Sequence, residues 1–237
     1  MANKYFVFKQ FTIRQEESTF KVGTDGVLLG TCTDLSGAAS ILDIGTGTGL
    51  IAIMCAQRSE ADIFAIEPDH YSYLQAVVNV MACRWAERIS VIESDLKNYS
   101  SGQEKKFDII ISNPPYFRNS LLNPDESKAS ARHSYSLSSD DLVRGSDTLL
   151  NQGGSLYMIL PYEEGTLFIA EAGAAGFYCN SIIKVKPFPE GKVIRLIMKF
   201  ERLKKQIREK FLTIETGTRH HYTEEYKELT KEFYLNF

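Results

Sequence analysis

The sequence predicts an α/β protein with a doubly wound, mostly parallel, Rossmann-like sheet. Three observations predict it. From residue 40 onward, short apolar runs alternate with helical stretches. A glycine-rich turn, Gly45-Thr46-Gly47-Thr48-Gly49, follows the first buried run. The last two strand-like runs are joined across Pro187-Phe188-Pro189-Glu190-Gly191, a connection short enough to make them antiparallel.

The elements follow in order. Residues 5–13 flank the polar pair Lys9-Gln10 with Phe6, Phe8, Phe11 and Ile13, which predicts a short hairpin. The turn-rich segment 20–30 opens into a short helix. Strands are expected at 41–44, 63–66, 89–92 and 107–111, and a helix at 50–58. The helix after the second strand carries Leu74, Val77, Val78 and Met81 at i, i+3, i+4, i+7 spacing. A Ser-rich, charged loop over roughly 117–136 precedes a helix at 138–150, capped by Ser138 or Ser139 with acids in its first turn. Gly153-Gly154 turns into a strand at 155–160, a helix follows at 162–173, and strands at 178–186 and 192–200 close the sheet. The tail holds a strand near 211–214 and a helix around 224–233. This reads as one domain over residues 1–202, with the hairpin and turn segment at 1–38 and the core at 39–202. Residues 203–237 form an extension packed on the same domain.

The 237 residues suffice for one large α/β domain, and a hydrophobic share of 43% with 24% charged residues is that of an ordinary globular protein. No apolar stretch approaches the roughly 20 residues that span a bilayer, and the N-terminus lacks a signal peptide's apolar core. A cytoplasmic protein without membrane association is expected. Cys32, Cys55, Cys83 and Cys179 are scattered, without metal-ligand spacing, so neither disulfides nor a metal are expected. A monomer is the expected state. The net charge of -3 is unevenly spread. Residues 184–210 hold ten Lys and Arg against three Glu, a local excess of +7. Such a region reads either as a contact for a polyanion or as a solvated charge run.

Asn113-Pro114-Pro115-Tyr116 stands directly behind the buried run Ile109-Ile110-Ile111. Prolines cannot donate to a sheet ladder, so the strand stops there. That leaves an amide, a carbonyl and an aromatic ring at the carboxyl end of a central strand, where open α/β sheets bind ligands. The set suits a planar group bearing an NH2.

The glycine loop points to a second ligand. Its G-x-G-x-G spacing differs from the dinucleotide fingerprint G-x-G-x-x-G, and Asp43 leads it. A carboxylate there repels a pyrophosphate but suits the ammonium of a cationic amino acid, as on S-adenosylmethionine. Gly45, Gly47 and Gly49 let the backbone approach that ligand. Glu67, closing the second strand, is placed to accept both ribose hydroxyls. Asp95, after the third, is placed to accept from an adenine amino group. A strand-end Asp also serves as a helix cap. Four such features at successive strand ends converge on one cofactor, S-adenosyl-L-methionine.

This arrangement resembles the class I S-adenosylmethionine-dependent methyltransferases, and the Asn113–Tyr116 motif resembles their amino-methylating branch. The segment 20–30, the glycine loop, Arg132-His133 and the tail 222–234 are similar to the tRNA1(Val) (adenine-37-N6)-methyltransferase family across nearly the whole chain. The resemblance implies a seven-stranded sheet and an adenine acceptor beside the anticodon, with the tRNA anticodon stem-loop as partner. On that basis the Asn113 oxygen and Pro114 carbonyl are expected to accept the N6 hydrogens, with Tyr116 stacking on the base. Pro115, Arg118, Arg132 and His133 are expected at the substrate, beside Lys128. Lys21, Thr24 and Asp25 are expected to cover the methionine end of the cofactor, or to serve only as turn chemistry before a helix.

Other readings use the same motif. A protein glutamine N5-methyltransferase offers the same planar NH2, although such enzymes carry a helical domain ahead of the glycine loop, where this chain has about 40 residues. A ribosomal RNA or DNA adenine methyltransferase is a second alternative. A catalytically inactive RNA-binding module is a third, disfavoured by the intact Asp43, Glu67, Asp95 and Asn113. The glycine spacing disfavours a nicotinamide-dependent oxidoreductase.

Overall fold

The computed structural model describes residues 3–18, 21–102, 104–114 and 137–237. Two short strands, β1 (Tyr5–Val7) and β2 (Thr12–Arg14), form the expected hairpin, with Phe6 opposite Ile13. Helix α1 (Thr24–Cys32) leads into the main unit. There β3 (Ser40–Ile44), α2 (Leu50–Arg58), β4 (Asp62–Glu67), α3 (His70–Met81), β5 (Ile89–Glu93), α4 (Leu96–Ser101) and β6 (Phe107–Ser112) alternate. After the loop come α5 (Ser139–Leu149), β7 (Leu150–Pro161), α6 (Tyr162–Ala174), β8 (Tyr178–Lys186), β9 (Arg195–Glu201), β10 (Arg208–Thr213) and α7 (Glu224–Thr230). No described helix is long and apolar enough to cross a membrane.

Strands β3 to β10 make one sheet of eight, in the order β10-β8-β9-β7-β6-β3-β4-β5. The parallel part runs through β5, β4, β3, β6 and β7. Strand β9 is antiparallel between β7 and β8. The seven expected strands are all present. The difference from a seven-stranded sheet is the tail strand β10, which pairs in parallel with β8 and adds an eighth. Its exposed Arg208, Glu209 and Lys210 suit an edge, where charge discourages further pairing.

Apolar side chains on the two faces form two cores. One holds Ile41, Ile53, Ile63 and Ile111 with hairpin residues Phe8 and Ile13 and tail residues Leu212, Tyr226 and Phe233. The other gathers Leu42, Ile110, Leu142, Leu156, Phe168 and Phe200 under α5 and α6. Burial on both faces explains why the central strands read as continuous apolar runs. Ser138 caps α5 through a capping box with Asp141.

Two local readings are corrected. The apolar stripe of α3 faces outward, since Leu74, Val78 and Met81 are exposed while Ser72, Gln75, Ala76, Asn79 and Val80 are buried. The reason is polar. Gln75 Oε1 accepts from the Glu16 and Glu17 amides, and Asn79 exchanges two hydrogen bonds of 2.8 Å with the Arg14 backbone. The helix therefore turns its amides inward to satisfy the backbone beyond β2. Second, Gly153-Gly154 does not precede β7 but lies in a bulge within it. The register jumps from Phe107↔Leu150 to Ile109↔Ser155. Gly153 has φ +84°, and a Cβ on Gly154 would stand 3.0 Å from the Phe107 carbonyl.

The tail fastens the hairpin to the core. The Lys9 amide donates to Phe233 O at 2.8 Å, and Lys9 Nζ donates to the carbonyls of Lys231 and Phe237. The Phe233 ring is 2% exposed and meets Phe11 edge-on. Phe233→Ala is expected to cost about 3–5 kcal/mol of unfolding free energy, because the cavity opens in the main core. Urea denaturation of the two proteins checks this. A loss under about 1 kcal/mol would mean that the tail lies outside the cooperative unit.

Candidate active site

The loop between β3 and α2 is built around backbone that side chains resist. Gly45, Gly47 and Gly49 have φ of +72°, +57° and +80°. A Cβ at Gly45 or Gly47 would meet no atom within 4 Å, so open space lies over the loop. The loop is tied down from beneath. Gly45 N and Thr46 N both donate to Ile66 O, and Asn79 Nδ2 donates to Thr48 O at 2.8 Å.

Asp43 is 1% exposed. Its Oδ2 accepts from Thr46 Oγ1 at 2.6 Å, whereas Oδ1 has no hydrogen-bond partner among the described residues. Burial pushes its carboxyl up to about 7. The Thr46 hydroxyl opposes that rise, the nearby Glu67 adds to it, and the Ala52 N–H of α2 opposes it without closing a hydrogen bond to Oδ1. A buried carboxylate oxygen lacking a donor is suited to receiving a cation.

Glu67 is held on two sides. Oε2 accepts from Gly47 N at 2.8 Å and Oε1 from Asp69 N at 3.0 Å. Burial raises its pKa, opposed by these two amides. Each oxygen keeps a second acceptor site, so the fixed carboxylate still has capacity for two hydroxyls. Asp95 caps α4. Its Oδ1 accepts from Asn98 N and its Oδ2 from Asn98 Nδ2, both at 2.7 Å. The helix-cap role of this strand-end Asp is thus the one visible in its contacts.

Strand β6 lies beside β3, with Ser112 opposite Ile44 and Ser112 Oγ donating to Ile44 O at 3.0 Å. Asn113, half-buried, and Pro114, buried, therefore emerge next to Gly45. Helix α1 crowds the same spot. A Cβ on Gly26 would be 3.1 Å from Leu50 Cδ2 and 4.0 Å from Asn113 Nδ2. The amide nitrogen is thus on the α1 side and the oxygen on the opposite arm.

The structure brings Asp43, Gly45, Gly47, Gly49, Glu67, Asp95, Asn113 and Pro114 to one carboxyl edge of the parallel strands. Thr24 opens α1 beside them. Lys21 donates instead to Gln15 O at 2.6 Å, and Asp25 pairs with Arg195 at 2.8 Å. Pro115, Tyr116, Arg118, Lys128, Arg132 and His133 lie outside the described residues. Sequence reasoning missed Gly26, Thr46, Asn79 and Arg195. The available signal for Asn79 was an amide on a helix whose apolar stripe faces elsewhere. The cationic stretch divides. Lys199 and Lys205 pair with Glu201 and Arg202 pairs with Asp147, as a solvated charge run would.

Residues 17–166 match the methyltransferase small domain, and the fold is that of a Rossmann-like methyltransferase. Relatives extend this over the whole chain. It is 42% identical over 240 residues to the tRNA1(Val) (adenine(37)-N6)-methyltransferase of Trichodesmium erythraeum (strain IMS101), covering 100% of both. It is 44% identical over 238 residues to the protein of that name from Phocaeicola vulgatus, again covering 100% of both. The chain belongs to the tRNA1(Val) (adenine(37)-N6)-methyltransferase family. Among solved structures, a predicted O-methyltransferase from Agrobacterium tumefaciens superposes with a TM-score of 0.68 at 21% identity, covering 88% of this chain and 96% of that one. A putative RNA methyltransferase from Pyrococcus horikoshii gives 0.53 at 17% identity, over 75% and 79%. Both share the fold.

Methyltransferases of this family and fold use S-adenosylmethionine as methyl donor. Two features of the site fit that donor: the unpartnered Asp43 Oδ1 and the open space over Gly45 and Gly47.

Proposed function

We propose that this protein methylates the N6 amine of adenine 37, next to the anticodon, in valine tRNA. One observation carries the reading: Asn113-Pro114 is fixed against the glycine loop by the β3–β6 pairing, so an amine acceptor and a methyl donor would meet across one strand spacing. The names of the full-length relatives favour tRNA over glutamine or ribosomal RNA as substrate. The chain is read as one domain over 1–202 with 203–237 packed on it, which the shared core of Phe8, Ile13, Leu212 and Phe233 supports. Its place is the cytoplasm, with tRNA.

Asp43 would hold the donor's ammonium, Glu67 its ribose hydroxyls and Asp95 its adenine amino group. The segment from Lys21 to Asp25, at the mouth of α1, would flank its methionine end, with Lys21 exchanging its bond to Gln15 O for the ligand. When bound, S-adenosylmethionine supplies an electrophilic methyl group on a sulfonium. The protein's own task is to make a poor nucleophile competent. An adenine N6 lone pair is delocalised into the ring. The Asn113 oxygen and Pro114 carbonyl, accepting the two N6 hydrogens, pull the nitrogen toward tetrahedral geometry and stabilise its developing positive charge. Tyr116 would stack on the base, with Pro115 at the substrate, which would set the line of attack. The methylated nitrogen then loses its extra proton to water, without a general base. An unpaired anticodon loop lets the base enter at low cost, and Arg118, Arg132 and His133 would contact the RNA.

Methyl transfer from labelled S-adenosylmethionine to unmodified valine tRNA tests this, beside the same tRNA with guanine at position 37. Label is expected as N6-methyladenosine in the first alone. Label on neither, with donor still bound, would overturn the assignment. Asn113→Ala is expected to lower kcat by about 10²–10³-fold, the scale of losing one aligned transition-state hydrogen bond, while the donor's Kd changes little. A matching rise in that Kd would instead place Asn113 in donor binding.

Asp43 imposes a pH dependence. With its carboxyl raised to about 7, the free protein holds it protonated below that pH. Free-protein stability is therefore lost as pH rises from the ordinary range of an Asp through about 7. Binding an ammonium beside it must release that proton, so donor affinity is expected to rise with pH up to about 7, by up to about tenfold per unit. It flattens above, until the ligand's own amino group deprotonates at roughly 7.7–8.0. Calorimetric titration between these limits checks it. Asp43→Asn removes the slope, and a flat wild-type profile would separate Asp43 from the ammonium.

A further inference from the structure

Another part of the cationic stretch lines a groove of about 820 Å³ on the same carboxyl edge as the active site. Lys186 ends β8, Arg195 begins β9 and Tyr162 follows β7, whose neighbour β6 carries Asn113. Strand β10 supplies the outer wall through Phe211, which is 54% exposed. Two ammonium groups flank that ring: Lys186 Nζ at 5.4 Å from its centroid, and Lys184 Nζ at 5.8 Å, the latter paired with Glu209 at 2.6 Å. Lys192 lies along the same groove. Two acids also line it, Glu163 and Glu164, in the first turn of α6. There the helix dipole offsets their charge.

An exposed aromatic ring set among cations is the arrangement that grips single-stranded nucleic acid, by stacking a base and neutralising its phosphates. Two exposed rings line the groove, Phe211 and Tyr162, the latter 45% exposed; a groove for a small apolar ligand would not place lysines over the more exposed of them. We infer that this groove binds the RNA strand flanking the target adenine, with an unpaired base stacked on Phe211 and phosphates on Lys186 and Lys192. The inference rests on the reading of tRNA as substrate and deepens it. Strand β10 lies four strands from β6 in the sheet order. At about 4.8 Å per strand that is roughly 19 Å from the methylation site, a reach of a few nucleotides. The tail's eighth strand thereby has a function: it gives the groove its outer wall and the Phe211 ring.

The Arg195–Asp25 pair joins this groove to α1, whose Gly26 abuts Asn113. RNA seated in the groove thus lies one ion pair from the helix that crowds the catalytic amide.

Three variants test the inference: Lys186→Gln with Lys192→Gln, Phe211→Ala, and Phe211→Tyr. Lys105→Gln, just before β6 at the opposite edge of the sheet, is the control. Valine tRNA and S-adenosylmethionine affinities are measured separately, the former across a salt series. The double lysine variant is expected to raise the tRNA Kd about tenfold or more and to reduce the log–log salt slope by about two. Phe211→Ala raises it about fivefold to a hundredfold with the slope unchanged, and Phe211→Tyr restores binding. Donor affinity, kcat at saturating tRNA and the control variant stay within about twofold of wild type, which excludes misfolding. Unchanged tRNA affinity and slope in all variants, with a wild type that methylates tRNA, would overturn the groove alone. A wild type that neither binds nor methylates tRNA would overturn the substrate reading and the groove with it.

Discussion

The site depends on one piece of backbone geometry, the parallel pairing of β3 with β4 on one side and β6 on the other. Parallel strands end on the same edge, so three loops that are distant in sequence open side by side. The β3 loop carries the glycines, the β4 end carries Glu67, and the β6 end carries Asn113. None of these groups could be brought together by local structure. Registration is exacting because the strands are buried on both faces, where Ile41, Ile63 and Ile111 have no alternative environment. Each such side chain contributes about 1.5–3 kcal/mol by leaving water. A slip of one residue would also part Ser112 from the Ile44 carbonyl and move Asn113 away from Gly45.

A frame of that rigidity allows a carboxylate to be held in a costly state. Asp43 is buried with one oxygen lacking a donor, and Glu67 is buried beside it with its pKa also raised. Two such acids destabilise the free protein, and the surrounding sheet tolerates them because its core is large. The backbone amides of Gly47 and Asp69 fix Glu67, and the Thr46 hydroxyl fixes one side of Asp43. The loop is thus preorganised for positive charge inside and for hydroxyls at its rim. The opposite sign dominates the outer part of the same edge, at Lys184, Lys186 and Lys192. One edge therefore carries buried acids and groove-lining lysines a few strands apart.

What was legible in the sequence follows from how local its cause is. The glycine loop, Asp43, Glu67 and Asn113 are each announced by neighbours in the chain, because strand ends and turns are short-range features. Asp95 was legible as a strand-end acid, yet its visible contacts are those of a cap to Asn98, a role with the same local signature. The stripe on α3 misleads because periodicity gives a helix its apolar face but not its direction. Here the buried face is chosen by backbone groups near Arg14 and Glu16, more than fifty residues away in sequence, which only Gln75 and Asn79 can satisfy. The bulge at Gly153-Gly154 is likewise a matter of pairing with Phe107 and not of turn chemistry. The eighth strand was visible as a strand, but its partner was not, since a parallel neighbour leaves no hairpin signal.

Those long-range contacts also explain why the two chain ends belong to the site although neither reaches it. The tail holds the hairpin through Phe233 and Lys9. The segment after the hairpin is held by Asn79, and the same Asn79 amide holds the glycine loop at Thr48. One buried side chain thus bridges the N-terminal segment and the loop over which the donor would lie. On the other flank, Arg195 at the start of β9 holds Asp25, and the next residue, Gly26, packs on Leu50 of α2 and faces Asn113. The glycine at 26 suits that closeness: a Cβ there would stand 3.1 Å from Leu50 Cδ2, which would have to give by a few tenths of an ångström, and 4.0 Å from Asn113 Nδ2. Two hydrogen-bonded side chains thus brace the site from outside the parallel strands: Asn79 ties the hairpin to the glycine loop, and Arg195 ties α1 to the start of β9.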